Sequence, residues 1–171
     1  MSSSDGQFFP AGGRGEASLD YNAKYGKRPG ASLYGFLSNR FASFFSRLIQ
    51  ASESEAPYVL DGLVHNESSV EIHEHATDTA GATETVFAMF HLFGYRLIPR
   101  IRNLGNRRLF VINPDAAYAP LSPLIGGTID MGRIETHWDE VLRLTASIGA
   151  GLVPPSVILK KIAAAPRQNV P

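Results

Sequence analysis

The chain has 171 residues, 44% of them hydrophobic and 19% charged, a balance ordinary for a soluble globular protein, for which disorder is not the default reading, and the length suffices for one domain with a packed core. Lysine plus arginine and aspartate plus glutamate both total 16, so net charge points to no polyanionic partner, and the lack of cysteine excludes disulfides and thiolate metal sites. No apolar run approaches the ~20 residues that cross a bilayer and the N-terminus carries no basic-then-apolar signal, so a cytoplasmic protein with no membrane partner is the simplest expectation.

In chain order, Ser2 to Phe9 reads as a short strand running into a turn-forming stretch, Pro10 to Gly15, with Ala17 to Tyr25 returning as a second strand. After Gly26-Lys27-Arg28-Pro29-Gly30, the run from Ser32 to Leu37 is rich in strand formers, and Phe41 to Ile49 continues apolar without a clean period. This is expected as a third strand with an open end. Ser52, with Glu55 three residues on, and Ser54, with Pro57 in the first turn, are both candidate caps for a helix through Tyr58, Val59, Leu60 and Leu63.

Val70 and Ile72 alternate with Glu71 and His73, predicting a fourth strand that delivers Asp78 at its end. Val86, Met89, Phe90 and Phe93 then fall at helical spacing up to Gly94. Tyr95 to Arg102 reads as a fifth strand, which Pro99 assigns to a sheet edge or bulge because proline cannot donate to a ladder. From 103 to 129 the chain reads as loop-rich. Ile134, Trp138, Val141, Leu142 and Thr145 predict a helix with Trp138 in the core, and a last helix starts at Pro154-Pro155.

Three strands, helix, strand, helix, strand is the order of the ribonuclease-H-like α/β fold, a mixed five-stranded sheet in which the first and fourth strands are parallel neighbours and the fifth is an edge. Residues 1–103 would form that core and 104–171 a loop-rich, helical extension. The topology makes neighbours of Asp5 and Asp78, which are 78 − 5 = 73 positions apart. Two Asp side chains on adjacent strands are the hard oxygen ligands that Mg²⁺ prefers, and such pairs support metal-assisted phosphoryl transfer. The bland alternative is that both Asp residues only cap turns.

Arg96, Arg100 and Arg102 share one strand face by period-two alternation, followed by Arg107 and Arg108, as either a phosphate-binding stripe or a charged edge that blocks strand addition. His73 and His75 alternate onto one face close to Asp78. A transition-metal site of His73, His75 and Asp78 is the weaker option, and His75 is expected as a hydrogen-bonding neighbour or phosphate contact. No Gly-x-Ser-x-Gly elbow and no phosphate-binding P-loop occurs.

The segments Ser3-Ser4-Asp5-Gly6-Gln7, Tyr58-Val59-Leu60-Asp61-Gly62-Leu63 and Glu74-His75-Ala76-Thr77-Asp78-Thr79-Ala80-Gly81 together resemble the catalytic region of the Tn-three family of replicative bacterial transposases. The likeness continues through Val86-Phe87-Ala88, Leu92-Phe93-Gly94-Tyr95-Arg96, Pro99-Arg100-Ile101-Arg102, Trp138-Asp139 and Pro166-Arg167-Gln168-Asn169, in order and over nearly the whole chain. The resemblance implies a DDE transposase that uses Mg²⁺, with Mn²⁺ able to substitute, to nick transposon ends and join the 3′-hydroxyls to target DNA.

Asp5 and Asp78 match the first two catalytic, metal-binding carboxylates, and Arg96, Arg100, Arg102 and His75 are the candidate DNA contacts. In the family the third acid, a Glu, lies beyond the segment matched by Arg167-Gln168-Asn169, so the expectation is a fragment that lacks it and is inactive alone. Without the resemblance, Glu135, Asp139 or Glu140 would be the choice. Phe8 stands where the family has a basic residue and Asn39 where it has Asp. The implied partners are terminal inverted repeats and target DNA, with a homodimer for the full-length protein and a cytoplasmic, nucleoid-associated location. The alternative is a non-catalytic remnant that binds DNA or transposase and inhibits transposition.

Overall fold

The computed structural model describes residues 1–10, 20–22, 28–113 and 119–164. The turn expected over 11–15, most of the expected second strand, and the Arg167-Gln168-Asn169 segment lie outside the described residues.

One mixed sheet organises the chain, built from β1 (Ser2–Pro10), β2 (Asp20–Asn22), β3 (Arg28–Ser38), β4 (Ser43–Gln50), β5 (Glu74–Thr77) and β6 (Arg96–Pro99). Five of these follow the order β2-β3-β1-β5-β6, and β4 pairs with β3 as well. β1 with β3 and β3 with β4 are antiparallel, whereas β1 with β5 and β5 with β6 are parallel. With helices after β4, between β5 and β6, and at the C-terminal end, this is a ribonuclease-H-like α/β fold.

The longer strands keep the expected order, but their assignment shifts. Phe41 to Ile49 is not a ragged continuation of the third strand. Ser38 to Ala42 forms a tight turn, closed by the Ser38 N–H donating to the Ala42 carbonyl at 2.9 Å, and β4 returns as a separate strand. Val70 to His73 stays outside the ladder and β5 begins at Glu74. Pro99 closes β6, which is an edge strand as its proline requires.

Strand alternation puts Ser2 and Ser4 of β1 on the same face as Tyr34 and Phe36 of β3. That face is covered. Short 3₁₀ turns at Ala56–Tyr58 and Thr79–Gly81, α1 (Asp61–Val64) and α2 (Glu84–Leu92) precede β6. Then come α3 (Met131–Thr136), α4 (Trp138–Gly149) and α5 (Pro155–Ala164). Val59, Leu60, Leu63, Val86, Met89 and Phe90 pack with Tyr34 and Phe36 in one core, joined by Ile148 of α4 and Leu159 of α5.

The Ser54 hydroxyl accepts from the Ala56 N–H at the start of the expected helix, but the first turn is 3₁₀ and α1 itself has four residues. Thr83 caps α2 by accepting from the Val86 N–H.

Two expectations fail in the C-terminal part. The stretch read as loop-rich contains a two-stranded parallel ribbon, β7 (Leu109–Val111) with β8 (Ile125–Thr128). Each strand is too short to show a period. Trp138 is not core: Ile134, Trp138 and Leu142 are 40%, 43% and 45% exposed. The helix is interrupted at His137, and the inward side of α4 is set instead by Ile148, with Val141, Leu144 and Thr145 half-buried.

Asp61 joins α5 to the rest of the fold. Its carboxylate is buried, pairs with Arg47 at 2.5 Å and accepts from the backbone N–H of Ser156, in the first turn of α5, at 2.8 Å. Glu53 takes Lys160 of α5 at 2.6 Å and also the Tyr58 hydroxyl, while Arg47 and Lys160 both lie over the Tyr58 ring. Replacing Asp61 by Ala is expected to cost about 2 kcal/mol in urea unfolding, chiefly from the orphaned Ser156 N–H, because half-exposed Arg47 can turn to water.

Candidate metal site at the strand ends

The register between β1 and β5 decides how the two acids stand. Ser2 is level with His75 and Ser3 with Ala76, an offset of 75 − 2 = 73. Asp5 and Asp78 have the same offset, 78 − 5 = 73, so continuing that register sets them level with each other. By alternation both belong to the strand face opposite Ser4 and His75, which the helices cover. Asp5 is exposed and Asp78 half-buried.

Each carboxylate has one oxygen engaged by local backbone. Asp5 Oδ1 accepts from the Gly6 N–H at 2.9 Å, and Asp78 Oδ1 accepts from the N–H groups of Ala80 and Gly81 at 2.9 and 3.1 Å. The turn-capping role weighed from sequence is therefore real for Asp78, and it uses only one oxygen. No hydrogen bond to Oδ2 of either residue occurs among the described residues, which leaves one oxygen of each for water or a cation. A pair of level carboxylates with a spare oxygen apiece fits Mg²⁺, which takes one or two carboxylates from protein and keeps several waters. Among the described residues no group of three His, Asp or Glu side chains is placed to hold a metal.

Two glycines make room here. A Cβ at Gly81 would fall on the Thr77 hydroxyl, so glycine lets the 3₁₀ turn close against β5 beneath Asp78. A Cβ at Gly6 would fall on the Glu55 carboxylate, which packs against β1 one residue beyond Asp5. That neighbour was not legible in the sequence, where Glu55 served only as a capping candidate.

The basic residues divide. β6 stops at Pro99, so the alternation expected to align Arg96, Arg100 and Arg102 does not extend through all three. Arg96 pairs with Glu74 at 2.6 Å on the exposed edge. Arg100 is held beside Asp78: its N–H donates to the Thr77 carbonyl at 2.8 Å, and the Thr79 hydroxyl donates to its carbonyl at 2.6 Å. Its side chain and that of Arg102 are exposed.

The histidines correct the sequence reading. His75 is 0% exposed and sits inside the core, so it is not placed to touch DNA. Its Nδ1 is 2.8 Å from Ser2 Oγ and its Nε2 2.8 Å from Ser4 Oγ, and Ser4 Oγ is 2.7 Å from the Tyr34 hydroxyl. His73 precedes the strand and pairs in solvent with Glu71 at 3.1 Å. Among the described residues no metal site unites His73, His75 and Asp78, because His75 is sealed in the core and His73 precedes the strand.

Burial pushes the His75 imidazole down to about 4, so the ring is neutral in the fold near pH 7. Its unfolded value near 6.5 is higher, and below that the unfolded chain binds the extra proton. Stability should thus fall as pH drops from 6.5 to 4, by about 2 to 3 kcal/mol from this residue. Urea midpoints measured across that range for the parent chain and a His75→Gln variant test it. The variant should show a shallower decline.

The family model for the Tn3 transposase DDE domain matches residues 1–170. The chain belongs to this family. It is 48% identical over 168 residues to the transposase for transposon Tn501 of Pseudomonas aeruginosa, and 44% identical over 168 residues to that for Tn21 of Escherichia coli. It is 39% identical over 168 residues to the transposase for Tn1546 of Enterococcus faecium. Each match covers 98% of this chain and 17% of the relative. The chain thus spans about a sixth of the length of these relatives. No helix among the described residues is long and apolar enough to cross a membrane.

Proposed function

We propose that this chain forms the Asp–Asp half of a divalent-metal site for DNA nicking and strand transfer in transposition, with Asp5 and Asp78 as ligands. The observation that carries this is the shared offset of 73, which sets level two carboxylates that each keep one uncommitted oxygen. Bound there, Mg²⁺ or Mn²⁺ would supply Lewis-acid stabilisation of charge on phosphoryl oxygens and a nucleophile at neutral pH. The protein's own part is to hold both carboxylates on one face, with Asp78 pinned by two N–H groups so that its free oxygen points consistently. Arg100, fixed next to Asp78 through Thr77 and Thr79, is the residue best placed to attract a DNA phosphate, with Arg102 beyond it.

Among the described residues no third acid joins the pair, and the 171-residue chain is expected to bind metal weakly and not to cut transposon ends by itself. Incubation with labelled inverted-repeat duplexes and Mn²⁺ tests this: no product is expected, whereas efficient cleavage that disappears in Asp78→Asn would contradict it. The exposed Arg100 and Arg102 favour a second reading, a non-catalytic role in which the chain binds DNA or full-length transposase and lowers transposition. Co-expression with an intact element of the family decides, and an unchanged transposition frequency removes that reading.

A further inference from the structure

We propose that His75 is a positioning residue, a pin whose two ring nitrogens fix the β1–β5 register and so set Asp5 level with Asp78; this rests on the metal-site reading above. The backbone ladder between these strands is slight. Only two residue pairs are matched, Ser2 with His75 and Ser3 with Ala76, against nine between β1 and β3. A slip of one residue would turn the buried side chains of a strand outward, and a slip of two would leave Asp5 opposite Ala76 or Ala80.

His75 opposes both slips. A single imidazole spans Ser2 and Ser4, two residues apart on one face of β1, with both nitrogens at 2.8 Å from a hydroxyl. A neutral ring offers one donor and one acceptor, and each serine hydroxyl can take either role, so both bonds are met in one register. Ser4 also bonds Tyr34, which extends the chain of hydrogen bonds across β5, β1 and β3. The ring itself is held by Phe36, stacked at 5.5 Å between centroids, and by Phe90 at 6.0 Å. The Ser2-Ser3-Ser4 run, without a role as nucleophile, thereby acquires one: its first and third hydroxyls receive the pin.

The test uses the 171-residue chain with Mn²⁺ as probe, read by the free-ion electron paramagnetic resonance signal well below the melting temperature, with circular dichroism confirming the fold. His75→Phe keeps the ring packing and removes both hydrogen bonds. It is expected to weaken Mn²⁺ binding at least about ten-fold and to lose the nuclear Overhauser contacts between Ser3 and Ala76. His75→Gln, which can hold one serine, should recover part of both. If His75→Phe fails to fold because the hydroxyls are orphaned, the triple variant with Ser2→Ala and Ser4→Ala removes that penalty and should show the same two losses. Unchanged Ser3–Ala76 contacts would overturn the pin whatever happens to metal. So would affinity within two-fold of the parent while Asp78→Asn has lost binding. A parent chain with no Asp78-dependent Mn²⁺ binding would instead overturn the metal-site reading, and the role assigned to His75 with it.

Discussion

Asp78→Asn is expected to leave the fold intact and to weaken Mn²⁺ binding at least about a hundred-fold, beyond the 10- to 100-fold typical of losing an outer-shell partner. Asp78 has two tasks that substitution can separate. One oxygen caps the 3₁₀ turn by accepting from Ala80 and Gly81, and asparagine caps as well as aspartate. The negative charge on the other oxygen has no structural partner among the described residues, and asparagine removes it. Asp78→Ala is the control, expected to lose binding equally and in addition about 1 kcal/mol of stability from the missing cap. Calorimetric Mn²⁺ titration with urea unfolding on all three proteins separates the roles. Equal affinity in Asp78→Asn and the parent would reduce Asp78 to a cap.

Phe36→Ala is expected to be the most destabilising single change, at about 4 kcal/mol. Phe36 is fully buried and stands edge-on to Tyr34 and Phe45, both at 5.2 Å between centroids, and to Phe44 at 5.9 Å, while stacking on His75. Truncation loses those contacts and opens a cavity under the strands that carry the acids. A loss of that size is a large part of the roughly 5–15 kcal/mol that holds a domain together. Equilibrium urea unfolding measures it. A loss under 1 kcal/mol would mean that the aromatic cluster is not the centre of the core. Admitting water beside His75 should also return its imidazole toward 6.5, so the variant should lose less of its remaining stability between pH 6.5 and 4 than the parent does.

The parallel pairing of the first strand with the one that ends before Asp78 was legible because long-range topology leaves strong local marks. The helical spacing of Val86, Met89 and Phe90 and Pro99 at an edge are each set by backbone geometry within a few residues, whereas the alternation of Val70 to His73 falls just ahead of β5 and not within it. What was not legible depends on tertiary contact. His75 alternates as an ordinary strand residue, and only the two serines opposite, 73 and 71 positions away, make it a buried neutral pin. Glu55 reads as a capping residue until Gly6 is seen beneath it. Ile134, Trp138 and Leu142 have core-like spacing, yet a break at His137 and the docking of Ile148 leave them outside. Arg96, Arg100 and Arg102 looked equivalent by spacing, and the Glu74 pair and the end of β6 separate them.

The claim that Asp5 and Asp78 together hold a divalent cation is tested most directly by paramagnetic broadening. Substoichiometric Mn²⁺ added to the isotope-labelled chain should broaden first the amide signals of Asp5, Gly6, Asp78 and Thr79, and the effect should vanish in Asp5→Asn and in Asp78→Asn alike. Broadening centred elsewhere, or persisting unchanged when either carboxylate is removed, would contradict it.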